Sequence, residues 1–175
     1  RRDAVVDLIY CKIGSGVGAG LLSKGRIHRG ANGAAGDIGH VRVSDSDAQC
    51  RCGKTGCLEA VAGGWALVRD AEQAVKDGTS SSLAGKLQKG ELTLEDITLA
   101  AQAGDSLAIA LVQKSARVAG ETISALVNMF NPGVIVIGGA IASAGEVFLA
   151  EVRQRVYELS LPLATRDLTI TLSVN

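Results

Sequence analysis

Between Gly36 and Glu59 the chain places three of its four cysteines and one of its two histidines. Cys50, Cys52 and Cys57 are spaced C-x-C-x4-C, and His40 lies ten positions before the first of them. Three thiolates and one imidazole are a frequent ligand set of a closed, tetrahedral zinc site. Gly53 and Gly56 let the backbone fold back so that sulfurs close in sequence can converge on one ion. Arg51 and Lys54 offset the negative charge of such a centre and favour deprotonated thiols. The alternative is one or two disulfides, but a C-x-C pair is too close for an unstrained bridge and nothing else marks a secreted scaffold. Metal binding then couples to folding of the loop, by ~10 kcal/mol or more on zinc-peptide precedent. The site has no obvious open position, so the expected ion is structural rather than hydrolytic.

The rest of the chain can support one respectable core, since 47% of its 175 residues are hydrophobic. Eighteen basic and eighteen acidic residues cancel, which leaves no electrostatic footprint for nucleic acid or an anionic membrane surface. Aromatics make up 3%, too few for a base-stacking platform. Cys11 stands alone on an apolar run and reads as a small core residue in a reducing cytoplasm. No signal peptide opens the chain. Thr122 to Gly145 carries no charge over 24 residues, but Asn131-Pro132-Gly133 and Gly138-Gly139 interrupt it. Helix, turn and buried strand is the reading taken, and the protein is expected to be soluble and cytoplasmic.

In chain order, Ala4 to Ile13 is nearly all apolar and rich in β-branched residues and reads as a central strand. A glycine run, Gly14 to Gly20, leads to Leu21-Leu22-Ser23, a Lys24-Gly25 turn and Arg26-Ile27-His28, which together form a hairpin. Gly14 to Ala19 formally satisfies G-x-G-x-x-[GA], yet a strand rather than a helix follows, so dinucleotide binding of the Rossmann kind is rejected. Bare amides in such a turn can cradle a phosphate, and a ligand-free β-turn satisfies the same sequence equally well. Gly30 to Gly39 is a sparse, site-lining connection that carries Asp37 to the cluster, and His28 has no assigned role.

Helical periodicity runs from Leu58 to about Lys76, with Leu58, Val61, Trp65, Val68 and Val75 on one side and Trp65 half-buried. A short helix is expected around Leu83 to Leu87. Another is capped by Thr93 with Asp96 at its third position and runs to Ala103. The longest helix spans Ser106 to Phe130, with a stripe through Leu107, Ala110, Leu111, Val118, Ile123, Leu126, Val127 and Phe130. Val134 to Ile137 is a buried strand, Gly145 to Leu159 a helix, and Leu168 to Val174 a last, alternating strand.

Gly39-His40 followed by Cys50-Arg51-Cys52-Gly53-Lys54-Thr55-Gly56-Cys57-Leu58-Glu59 resembles the G-H … C-x-C-G-x-x-G-C-x-E signature of the ROK family of repressors, open reading frames and sugar kinases. The resemblance runs from about Asp7 to Val174. It implies an α/β, actin-like (ribonuclease-H-like) lobe with a zinc-binding loop, the C-terminal of two lobes, cut short at both ends, with the N-terminal lobe and any helix-turn-helix outside this chain. By the same resemblance His40, Cys50, Cys52 and Cys57 bind zinc. Asp37, His40 and Glu59 line a sugar pocket, His40 offering its second ring nitrogen to a hydroxyl. Gly14, Ser15 and Gly16, with Gly138 and Gly139, correspond to phosphate and nucleotide contacts. From the residues alone, Glu59 is also readable as a first-turn anion, and Asp37 equally as a turn former.

Two departures from the family's kinases stand out. Their Asn-Asp pair, whose aspartate deprotonates the sugar hydroxyl, occurs nowhere in this chain, so no catalytic residue is assigned and ATP is expected only if the protein is a kinase. Asp37 also replaces their usual glutamate, which draws the carboxylate back by about 1 Å or more and resembles the regulator branch. The expected function is therefore the effector-binding domain of a transcriptional regulator. Its partners would be a sugar or sugar phosphate, DNA through an absent N-terminal domain, and a second copy of itself through helices of this lobe. A fragment of a glucokinase-like or N-acetylmannosamine-kinase-like enzyme is the alternative, and a ligand-free interaction domain a third.

Overall fold

A computed structural model describes residues 7–43 and 46–173. Five strands, β1 (Leu8–Ile13), β2 (Val17–Ser23), β3 (Arg26–His28), β4 (Val134–Gly138) and β5 (Thr169–Leu172), form one sheet in the order β3-β2-β1-β4-β5. β1 to β3 are antiparallel, whereas β4 and β5 run parallel to β1 and reach it through helices, as parallel strands must. This is the α/β class expected. The first residues of the expected opening strand and Val174 of the last lie outside the described residues.

β1 is central, as expected, and only one of its faces is buried. Ile9, Cys11 and Ile13 are fully buried while Tyr10 and Lys12 alternate outward. Helices therefore pack on one face, and the other carries Tyr10 and Lys12. The glycine run is also not all turn. β2 begins at Val17, and Gly18 and Gly20 lie opposite Lys12 and Tyr10 in register, so only Gly14-Ser15-Gly16 remains as the connection. The Lys24-Gly25 hairpin turn has both residues at positive φ, the geometry that suits strand twist. Cys11 is core, and burial pushes its thiol up to about 12.

The helices are α1 (Leu58–Ala62), α2 (Gly64–Lys76), α3 (Leu83–Leu87), α4 (Leu94–Gln102), α5 (Ser106–Phe130), α6 (Glu146–Leu159) and α7 (Pro162–Thr165). Two short 3-10 turns, Ile38–His40 and Ala140–Ala144, have no counterpart in the sequence reading. Neither has α7, a single turn begun by Pro162. The helix expected from Leu58 to Lys76 is two helices. Gly63 is extended, and the Gly64 amide donates to Gly14 O at 2.7 Å instead of continuing the first helix. Across that break the periodic stripe changes meaning: Ala66, Leu67 and Ala71 enter the core, while Trp65 and Val68 line a surface cavity.

The α5 boundaries agree with expectation and its buried face does in part, since Ile123 and Val127 of the expected stripe are buried and Leu111, Val118 and Leu126 pack against the core. Ala108, Val112, Ser115, Ala116, Ala119 and Gly120 are buried, whereas Ala110 and Phe130 are exposed. Small residues win because α6 packs very close. A Cβ at Gly120 would lie 2.8 Å from Arg155 Cβ. Phe148, Val152 and Val156 of α6 are buried against this face, although Leu159 is exposed. His28, without an assigned role, meets Phe130 edge-on at 6.5 Å. Among the described residues no helix is long and apolar enough to cross a membrane.

α4 carries the full capping box, Thr93 with Asp96. Asp105 caps α5 and gathers the preceding loop. It accepts from the Ala108 amide at 3.0 Å, the Ser82 amide at 2.6 Å and the hydroxyls of Ser81 and Ser82. Partial burial works against its ionisation, but these donors outweigh it and hold the carboxyl down at about 2. Asp105→Ala is expected to cost about 1–2 kcal/mol in urea unfolding. Because the folded carboxyl titrates below an unfolded one, that difference should be complete above about pH 4 and shrink as pH falls towards 2.

Candidate metal centre and adjoining cavities

The loop from residue 41 to Leu58 is a small hairpin knuckle, described except for residues 44–45. Val43 donates to Gly56 O at 2.8 Å and Leu58 to Val41 O at 2.9 Å, which seats Cys57 beside Arg42. At the tip Cys50 donates to Lys54 O and Gly53 back to Cys50 O. Gly53 and Gly56 have φ of 89° and 71°, left-handed positions that a side chain would strain. These turns bring Cys50, Cys52 and Cys57 together, and the 3-10 turn Ile38–His40 swings His40 over them.

Ligand atoms of His40, Cys50, Cys52 and Cys57 all lie within 4.8 Å of one another. His40 Nδ1 is 3.7 Å from Cys50 Sγ, and Cys52 Sγ is 3.7 Å from Cys57 Sγ. A disulfide would need about 2.05 Å, and all four cysteines are free. A tetrahedron with zinc-like bonds to sulfur and nitrogen has edges of about 3.6–3.8 Å, so the arrangement fits a cation at its centre. Burial, with the neighbouring Cys52 and Cys50 sulfurs, pushes the Cys57 thiol up to about 12. The Lys54 amide chiefly holds the exposed Cys52 thiol below its ordinary value. With Nδ1 turned to the sulfurs, the imidazole has Nε2 left for a second partner.

Cys57 is the N-cap residue of α1, so Glu59 follows the cluster by half a turn. Its Oε2 accepts the Val17 amide at 3.0 Å. A Cβ on Gly16 would sit 2.7 Å from that oxygen, and one on Gly39 3.4 Å from it. Glu59 is therefore wedged between the glycine turn and the His40 segment, a tighter role than that of a helix-dipole anion. With Lys12 and Ser15 to Gly18 it lines a cavity of about 320 Å³. Lys12 was not picked out by sequence reasoning; the signal available was a lone cation two residues before the glycine turn. Asp37 is exposed at the start of the 3-10 turn and makes no side-chain cap, so the turn-former reading has no hydrogen bond behind it.

A larger cavity of about 610 Å³ is lined by Ser15, Gly64, Trp65, Leu94 and Ala140 among others. Of the residues expected to meet a nucleotide, Ser15 lines it, whereas Gly14, Gly16, Gly138 and Gly139 do not. The α2 amides of Gly64 and Trp65 are spent on Gly14 O and Ser15 O. Gly138 is needed because the Tyr10 ring lies against it, and Gly139 because its φ is 87°.

The family model described as ROK family matches residues 1–171. A glucokinase from Halalkalibacterium halodurans is 40% identical over 162 residues, 91% of this chain and 49% of that protein. Among solved structures, a ROK family transcriptional regulator, a homologue of E. coli MLC, superposes with TM-score 0.89 at 34% identity, over 96% of this chain and 42% of the other. A ROK family glucokinase from Streptomyces griseus, solved with glucose and AMPPNP, gives 0.81 at 28% identity, over 98% and 56%. The chain thus spans about half the length of the relatives it matches. The architecture is the actin-like one of these proteins, and the His/Cys cluster is consistent with a zinc site.

Purified protein should hold about one zinc per chain by elemental analysis, and Cys57→Ser should reduce this to near zero with a lower melting temperature. Cys11→Ser should keep the metal in full.

Proposed function

The chain belongs to the ROK family, and on that premise we propose that it is the sugar-binding lobe of a ROK transcriptional regulator, with Asp37, His40 and Glu59 at the sugar. The observation that carries this reading is the lodging of Glu59 between Gly16–Val17 and Gly39, where it lines the smaller cavity. One carboxylate oxygen is tied to the Val17 amide, and the other is available to accept from a sugar hydroxyl. His40 Nε2 and the Asp37 carboxylate would add further polar contacts on the neighbouring segment. Bound zinc would supply charge to hold three thiolates and fix the imidazole; it does no chemistry on the sugar. The glucose in the Streptomyces griseus structure supports a sugar as the ligand class.

Two observations favour the regulator: aspartate rather than glutamate at position 37, and the TM-score of 0.89 to a regulator against 0.81 to a glucokinase. In such a protein the sugar would act by binding two states unequally and so shifting operator affinity, with DNA contacts made outside this chain. The kinase alternative rests on the 40% identity to a glucokinase and on the larger cavity, where ATP would lie. Sugar-dependent ADP release separates the two, because a regulator produces none.

Glu59→Gln keeps an acceptor for the Val17 amide while removing the charge. Calorimetry on the complete protein should find sugar affinity at least about tenfold weaker, the cost of losing a charged hydrogen bond. Unchanged affinity would remove Glu59 from the pocket.

A further inference from the structure

Arg51 lies between two of the cluster cysteines, and its guanidinium lies over an aromatic ring. Its Cζ is 4.7 Å from the centroid of Trp65, the only tryptophan in the chain. Arg69 approaches the same ring at 5.2 Å. The two cations are held differently. Arg69 is pinned by Asp70 Oδ1 at 2.8 and 2.6 Å and by Ala60 O at 3.2 Å, and Lys114 braces Asp70 in turn. Among the described residues Arg51 has no hydrogen bond or ion pair, so the indole is its partner. Trp65 packs on Cys50, Cys57 and Ala60, and its Nε1 is buried without a protein acceptor. Stacking and packing, rather than a hydrogen bond, therefore fix the ring. Arg51, Trp65 and Arg69, in mutual contact through the ring, all line the 610 Å³ cavity and form one wall of it.

We propose that Arg51 and Trp65 are a positioning couple through which the state of the His/Cys centre sets this wall of the larger cavity. The inference rests on the metal reading of the centre. With Cys50 and Cys52 both clasped on one ion, the backbone of the residue between them has no freedom, and its side chain is delivered to the indole. Releasing the ion frees the knuckle, whose satellite core is only Cys50, Cys57 and Ala60 with Ala48 and Trp65 packed on it. Arg51 then leaves the ring, one face of Trp65 opens to the cavity, and a positive charge departs from the wall. Linkage makes the coupling reciprocal: whatever the stack contributes to holding the knuckle closed, it contributes to metal affinity, roughly two- to fivefold for an exposed cation–π pair.

Because Trp65 is the sole tryptophan, its fluorescence reports the wall directly. Acrylamide quenching is compared in zinc-loaded protein, in protein stripped by a zinc chelator and reloaded, and in zinc-loaded Arg51→Ala and Arg51→Lys, with bound zinc measured in every sample. Stripping should raise the quenching constant about twofold and reloading should restore it. Loaded Arg51→Ala should quench like stripped wild type while still holding one zinc, Arg51→Lys should fall between, and chelator competition should find zinc held two- to fivefold more weakly in Arg51→Ala. Zinc leaving without a change in quenching, or loaded Arg51→Ala quenching like loaded wild type, overturns the coupling. A chain that takes up no zinc at these cysteines overturns instead the metal reading beneath it.

Discussion

Three sulfurs and an imidazole held within 4.8 Å of one another are unstable company without a cation. Deprotonated, the sulfurs repel; protonated, those of Cys50 and Cys57 occupy buried space with weak hydrogen bonds. The loop that carries them has almost no hydrophobic core of its own, only Cys50, Cys57 and Ala60 with Ala48 and Trp65 against them. Two left-handed glycines and a few backbone hydrogen bonds shape the knuckle, and a bound ion would supply the energy that so small a core cannot.

Much of the site's geometry descends from that knot. Cys57 caps α1, so the centre fixes where α1 starts and where Glu59 points. Glu59 ties down the Val17 amide and with it the glycine turn. That turn is held from behind as well, because the Gly64 and Trp65 amides at the head of α2 donate to Gly14 O and Ser15 O. The two cavities thus share Ser15 of that turn, with Glu59 lining one and Trp65 the other. The sheet and the α5–α6 pair form the platform that keeps these pieces in register.

Local chemistry was legible in the sequence. The cysteine spacing, the Lys24-Gly25 turn, the Thr93 capping box and the ends of α3 and α5 rest on short-range rules, and the structure agrees with them. Long-range packing was not. The break at Gly63 follows from the glycine turn taking the Gly64 amide, a contact 50 residues away that no window on the helix reveals. The stripe expected on α5 holds at Ile123 and Val127, but nearer the middle of the helix small residues take the buried face, because α6 approaches closely enough to exclude a Cβ at Gly120. A strand rich in apolar residues does not announce whether one face or two is covered, and β1 has one. The Glu59–Val17 bond, 42 residues apart, was likewise invisible, although the resemblance placed Glu59 at the site.

X-ray absorption at the zinc edge on the purified protein tests the central claim most directly. Coordination by three sulfurs at about 2.3 Å and one nitrogen at about 2.0 Å is the expected result. A spectrum dominated by oxygen ligands, or protein that carries no zinc after growth with ample metal, would contradict it.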